Sequence, residues 1–259
     1  METDVFVRKV ALITGSSRGI GAAIGRAFAR AGSSVIVNYR KSGGASQQGA
    51  ESLCAEIHAG GNHALPIQAD ISVKQAVKEM MGQIRDQCGR LDFLILNAAR
   101  APFKSLERLP ERELRQLVDT NFLGNVFCIQ EAVPLLEAAA GKVVFISSLG
   151  SRFYNPAYPL GSMKAAMEAA VRDLAESLRP RKITVNAICA GPVKTDSFKI
   201  MRQLWEGLER MPGELFVEAD EIADVVLFLC GPAARAIQGQ TVVVDRGLSN
   251  TLFRLAGQS

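Results

Sequence analysis

The sequence offers little to metal, disulfide or nucleic-acid chemistry. It has only two histidines, His58 and His63, in a predicted helix-to-strand connection and without partners at metal-ligand spacing, so both read as surface residues. The five cysteines (54, 88, 128, 189 and 230) are odd in number and widely spaced. They form no C-x-x-C pair and no disulfide framework, which suits a reducing cytoplasm. No uncharged apolar run approaches the ~18 residues of a membrane span, and Glu2, Asp4, Arg8 and Lys9 stand where a signal peptide needs an apolar core. The expectation is a cytoplasmic, unprocessed protein away from membranes. Basic tracts are missing too: 30 Lys and Arg against 26 Asp and Glu leave a scattered net charge of +4, which does not suggest nucleic acid. What is present is ordinary for a folded chain of 259 residues, with 48% hydrophobic and 22% charged residues.

Short apolar runs alternate with amphipathic segments. Val10–Ile13 and Ser34–Asn38 flank a helical stretch from about Ile20 to Ala31, a β-α-β unit, and further runs follow at about 63–69, 91–96, 142–147, 182–188 and 241–244. Phe122, Val126, Ile129, Val133 and Leu136 recur at intervals of three and four, marking a helix face, as do Ile222, Val225, Val226 and Leu229. Near-continuous Val/Ile/Leu strands, each followed by a helix, specify a parallel sheet covered on both faces. The prediction is α/β: one doubly wound domain over 1–259 with a seven-stranded parallel sheet.

The first strand runs into Thr14-Gly15-Ser16-Ser17-Arg18-Gly19-Ile20-Gly21. Gly15 allows a tight turn, Gly19 lets backbone approach a pyrophosphate, and Gly21 permits close packing of helix on strand. A helix starting here points its free N–H groups and positive dipole end at an anion. The position of this turn, between a first strand and a helix, is the context a dinucleotide site requires. At the end of the second strand, where a carboxylate would bind the ribose hydroxyls of NAD, the chain instead has Asn38-Tyr39-Arg40-Lys41. With Arg18 and Arg40 available to pair a 2′-phosphate, NADPH is the predicted cofactor.

These residues resemble the short-chain dehydrogenase/reductase family from Val10 to about Gly247. Thr14–Gly21 is similar to its TGxxxGxG turn, Asp70-Ile71 to its adenine-contacting pair, and Asn97-Ala98-Ala99 to its N-A-G. Asn121 stands at the family's active-site asparagine, and Ser147-Ser148 ends strand five as the catalytic serine does. Asn186–Thr195 is similar to the N-x-x-x-P-G-x-x-x-T segment, and Gly239–Asp245 to the closing strand. The resemblance implies a Rossmann fold. It also implies cofactor contacts at Gly15, Ser17, Arg18, Gly19, Ile20, Gly21, Tyr39, Arg40, Asp70, Ile71, Asn97, Ala98, Lys164, Gly191, Val193 and Thr195. Two departures are Ala190 in place of the Pro of P-G, and Arg246 where a Gly is usual.

A third departure bears on the chemistry. Four residues before Lys164, where the family's Tyr-x-x-x-Lys has its tyrosine, stands Leu160; Tyr158 is the nearest tyrosine, at Tyr-x5-Lys spacing, with Tyr154 as the backup. Tyr-x6-Lys is typical of the enoyl-acyl-carrier-protein reductase branches, and the run from Ser147 to Glu168 looks most like enoyl reductase III. On a continuous helix, residues six apart are turned by about 120°, but Pro159 biases Tyr158 to an extended conformation and is itself suited to a first helical turn. Tyr158 would then reach in from a loop.

The resulting expectation is an NADPH-dependent reductase of an enoyl thioester or related enone, with hydride delivered to the β carbon. Tyr158 would stabilise the enolate, Lys164 would hold the nicotinamide ribose and lower the tyrosine's pKa, and Ser148 would orient substrate. Asn121 would hold the helix and a water line, as the family implies. A ketoreductase or alcohol dehydrogenase, and a non-catalytic NADPH-binding sensor, remain as alternatives. Trp205, with Met201, Leu204 and Leu208, falls where the family has a substrate lid. The resemblance also implies a homodimer or homotetramer through helices at 119–139 and 160–178, and a free or carrier-protein-bound acyl substrate.

Overall fold

The computed structural model describes residues 5–154, 159–195, 198 and 211–251. Seven strands form one sheet: β1 (Val10–Ile13), β2 (Ser34–Tyr39), β3 (Ala64–Gln68), β4 (Phe93–Leu96), β5 (Lys142–Ser148), β6 (Thr184–Ala190) and β7 (Thr241–Val244). All pairs are parallel in the order β3-β2-β1-β4-β5-β6-β7, so each expected strand is present within two residues of its predicted bounds. The helices are α1 (Gly19–Arg30), α2 (Ala45–Ala59), α3 (Lys74–Cys88), α4 (Glu111–Val118), α5 (Gly124–Ala139), α6 (Gly161–Ser177) and α7 (Ala219–Cys230). This is the doubly wound, Rossmann-like architecture expected.

Alternation along β1 explains why both faces must be covered. Val10 and Leu12 pack into one apolar cluster with residues of α3, α5 and α6, while Ala11 and Ile13 join a second cluster with α1, α2 and α7. Side chains such as Phe28, Ile24, Leu94 and Phe145 are wholly excluded from water. Each stabilises the fold by about 1.5–3 kcal/mol relative to exposure.

Three elements differ from the sequence expectations. Helix α5 does not start at 119: a π-turn at Asp119–Leu123 joins it to α4 without a break. This turn shifts the buried stripe, so Cys128, Ile129, Ala132 and Leu136 are buried whereas Phe122 and Val126 pack only partly against the core. The resulting 29-residue stretch Glu111–Ala139 is long and apolar enough by length and composition to cross a membrane, a length the isolated runs did not reveal. Finally, His58 lies in the last turn of α2, its ring against the backbone of Ala64; among the described residues no cluster of potential metal ligands occurs.

Because the strands are parallel, all their carboxyl ends meet along one edge. The chain reverses direction across the sheet between β1 and β4, the crevice where such sheets bind ligands.

Candidate active site

A cavity of about 1200 Å³ opens along that edge. Each strand end contributes: Gly15 after β1, Tyr39 and Arg40 after β2, Asp70 and Ile71 after β3, Asn97 and Ala98 after β4, Ser148 on β5, Gly191 after β6 and Leu248 after β7.

The glycine turn is held from three sides. Gly15 and Gly19 have φ of +62° and +56°, left-handed values that glycine adopts without strain. A Cβ on Gly15 would sit 2.9 Å from Cα of Ala98, and one on Gly21 would sit 2.6 Å from Nδ2 of Asn97. Gly21 therefore serves packing, as expected, and is not on the cavity wall. The Asn97 amide donates to the carbonyls of Thr14 (3.0 Å) and Gly15 (3.1 Å), so this side chain shapes the turn. Thr14 Oγ1 accepts from the N–H of Asn97 and of Ala98, both at 3.0 Å. Asn38, buried at the end of β2, accepts from the Gly15 N–H at 3.0 Å and donates to Ala69 O at 3.1 Å, tying three strand ends together.

The resulting cradle fits a dinucleotide. Helix α1 has no acidic residue in its first turn, leaving its positive end to an anion. Ser17, Arg18, Gly19 and Ile20 line the cavity, and a Cβ on Gly19 would lie 3.5 Å from Cγ2 of Thr195. The guanidinium groups of Arg18 and Arg40 have no hydrogen-bonding or ionic partner among the described residues and border the same cavity. Val193 and Thr195 complete the wall opposite. Asp70 uses Oδ1 to accept from the Ser72 N–H and hydroxyl, which shapes the turn after β3.

Lys164 lies on the first turn of α6 and is buried. Its Nζ donates to the Ile146 carbonyl at 2.6 Å and stands 4.6 Å from the centre of the Phe145 ring. Burial pulls its pKa down to about 8, against the opposing pull of Glu168 and of Cys189. Ser148 Oγ is buried, lines the cavity and has no hydrogen-bond partner, so a donor and acceptor stands ready for a substrate oxygen.

Asn121 holds its own helix, with Nδ2 donating to the Leu117 carbonyl at 2.8 Å, and also reaches a neighbouring loop. It sits in the π-turn, off the cavity wall, with its side chain turned to the backbone of Arg100: Oδ1 accepts from the N–H at 3.0 Å and Nδ2 donates to the carbonyl at 2.8 Å. Its own carbonyl accepts from Asn125 Nδ2 at 2.8 Å. Asn121 thus anchors the loop after β4, and its side chain makes no hydrogen bond to Lys164. Tyr158 and the cluster of Met201, Leu204, Trp205 and Leu208 lie outside the described residues.

Leu160 stands four residues before Lys164, at the place of the family's tyrosine. It caps α6, is 0% exposed and packs with Leu109, Leu117 and Met163 in a satellite cluster off the cavity wall. Pro159 precedes this cap, so the helix begins two residues later than a proline in its first turn would imply. Sequence reasoning missed Arg100, which lines the cavity directly after Asn97-Ala98-Ala99, and Phe153, which lines it too. Arg246 takes a left-handed conformation that favours glycine (φ +51°), and its guanidinium is paired with Glu221, 2.6 Å away.

A glycine turn on the carboxyl edge of a seven-stranded parallel sheet, facing a buried lysine and a free serine hydroxyl, defines a nucleotide-dependent α/β oxidoreductase. Comparison makes this specific. The chain belongs to the short-chain dehydrogenase/reductase family, and residues 15–249 match the family model described as Enoyl-(Acyl carrier protein) reductase. It is 37% identical over 93% of its length to 1-cyclohexenylcarbonyl-CoA reductase of Streptomyces collinus, covering 87% of that protein. It is also 34% identical to 3-oxoacyl-[acyl-carrier-protein] reductase of Staphylococcus epidermidis, over 93% of this chain and 99% of that one. A short-chain dehydrogenase from Burkholderia cenocepacia, solved in complex with NADP, superposes with a TM-score of 0.82 at 32% identity, over 93% of this chain and 98% of that one.

Proposed function

We propose that this oxidoreductase is an NADPH-dependent reductase of an α,β-unsaturated acyl thioester or related enone. The observation that carries the reading is Leu160: the place of the Tyr-x-x-x-Lys tyrosine is taken by a side chain sealed in a separate apolar cluster, while Lys164 and Ser148 still face the cavity. The relative from Streptomyces collinus, named for an enoyl thioester of coenzyme A, supports it. Arg18 and Arg40, with no carboxylate at the end of β2, support NADPH over NADH.

In this reading the bound cofactor supplies the hydride. Lys164 holds the ribose hydroxyls, and its positive charge favours proton donation by a neighbouring hydroxyl. Ser148 Oγ, without a protein partner, hydrogen-bonds the thioester oxygen. Tyr158, which precedes α6 in the sequence, stabilises negative charge on that oxygen as the β carbon takes the hydride. The α carbon then takes a proton from solvent, completing reduction of the double bond. Asn121 contributes by fixing the Arg100 loop. The substrate is an acyl group on coenzyme A or a carrier protein, and the working form is a homodimer or homotetramer.

A ketoreductase is the second reading, favoured by the relative from Staphylococcus epidermidis. NADPH consumption with crotonyl-CoA beside acetoacetyl-CoA, with product analysis, separates the two. Enoyl reduction lost in Tyr158→Phe is the expected result. Turnover of acetoacetyl-CoA alone would overturn the enoyl reading, and full activity of Tyr158→Phe would remove that tyrosine from the mechanism and bring Tyr154 forward.

A further inference from the structure

Glu168 has no role in the mechanism above, yet it is nearly buried and heavily engaged. It lies one helical turn beyond Lys164 on α6, on the same inward face. Its Oε1 accepts from the hydroxyl of Ser147 and from that of Ser151, the latter at 2.6 Å. One carboxylate oxygen therefore grips the residue just before Ser148 and the residue three after it. The same turn is pressed against α6 a second time: a Cβ on Gly161 would lie 2.0 Å from the Gly150 carbonyl oxygen. Ser148 stands between these two attachments, lines the cavity, and leaves its buried Oγ without a partner.

We propose that Glu168 is a positioning residue of the active site, clamping the turn that presents Ser148 and supplying the negative charge that keeps Lys164 protonated in its buried setting. The remaining groups around the pair leave Glu168 as the principal counter-charge. From the turn, Arg152 approaches Glu168 at 4.0 Å and is partly exposed. From β6, the Cys189 thiol, 3.9 Å from Ser151 Oγ, is pushed by burial up to about 11 and is neutral near pH 7, with Asp245 beyond it. On α6, the Arg172 guanidinium donates to the Glu168 carbonyl rather than to its carboxylate. From β5 come the Ile146 carbonyl and the Phe145 ring at Lys164 and the Ser147 hydroxyl at Glu168, none of them charged. Glu168 raises the lysine's proton affinity against desolvation, so removing its charge drives Lys164 toward the neutral amine.

The lysine arm of the test needs no substrate. In cofactor-free protein carrying ¹³C-labelled lysine, with Lys164 assigned by its loss in Lys164→Met, Glu168→Gln is expected to lower the Lys164 titration midpoint by roughly half a pH unit or more. A purely structural carboxylate would leave that midpoint where it is, and an unmoved midpoint in folded Glu168→Gln overturns the electrostatic part. The turnover arm rests on the proposed reductase activity: the alkaline limb of the rate profile should move down with the lysine. If no thioester is reduced by wild type, the proposed activity fails while the titration still decides the role of Glu168. Should Glu168→Gln not fold, Glu168→Asp keeps the charge but draws back from the serines. It should retain the lysine midpoint and lose turnover or, without a substrate, lose the Ser147 and Ser151 hydroxyl proton signals protected by the clamp. Wild-type behaviour in that variant overturns the clamp.

Discussion

The glycine turn after β1 and the serine turn after β5 are built on the same plan and differ in how far their parts lie apart in sequence. Both place a polar turn at the carboxyl end of a buried parallel strand, and both rely on backbone approach too close for a Cβ. In the glycine turn most of the design is local: Gly15, Gly19 and Gly21 fall within one strand-turn-helix unit, so their spacing announces their purpose. In the serine turn the partners come from α6, where Gly161 meets Gly150 and Glu168 meets Ser147 and Ser151. The glycine spacing that marks the cradle is local, although Asn38 and Asn97 pin it from β2 and β4, whereas the serine turn carries no such local mark and depends on docking one helix onto one strand end.

Substituting the two glycines should separate the regions most widely. Gly161→Ala must push the serine turn off α6, and a displacement of about 1 Å there is expected to cost around a hundredfold in turnover while NADPH affinity changes little. Gly15→Ala forces a left-handed alanine against Ala98, so its loss should fall mainly on cofactor affinity. Dissociation constants by fluorescence beside kcat would test this, and equal loss of affinity in both variants would show that the regions are one mechanical unit. A smaller effect is expected at the cofactor's far end. Arg18→Ala with Arg40→Ala should weaken NADPH by about ten- to a hundredfold and leave NADH nearly unchanged, because only the 2′-phosphate needs charge-assisted partners. An equal effect on both cofactors would remove the phosphate role.

The smallest effect is one of stability with pH. Lys164 titrates near 8 in the folded protein against 10.5 for the free side chain. Below the folded value both states carry the proton, and the native state bears the cost of a buried charge. Between the two values only the unfolded chain is protonated, so native stability rises with pH, and above both the penalty is gone. Relative to Lys164→Met, the wild type should gain about 1 kcal/mol from roughly pH 7 to pH 9. Denaturant titrations at the two pH values measure it, and parallel curves would place the lysine in a wetter site.

Legibility followed the range of the contacts. The seven strands were readable because each is a continuous apolar run between turns, and the glycine turn on the cavity because its spacing precedes a helix. Asn97 was readable as a site residue but not in its function, since only the fold brings its amide to the carbonyls of Thr14 and Gly15. Asn121 was expected to hold the helix and a water line near Lys164, but its grip on the Arg100 backbone depends on the π-turn, which no spacing announces. Glu168 sat in plain view within the run from Ser147, but no periodic or spacing signal says that a helical carboxylate will receive two hydroxyls from a distant turn.

Local chemistry in the chain was sufficient for the α/β alternation, the parallel sheet, the glycine turn, the missing acid after β2 and the missing tyrosine at Leu160, because hydrophobic period and turn residues act over a few positions. Packing alone decided where Leu160 went, which way Asn121 faces and how Lys164 is buried between Ile146 and Phe145. Those outcomes turn on contacts between elements far apart in sequence, and on the loss of water around a charged group. Neither is encoded in the spacing of any one segment.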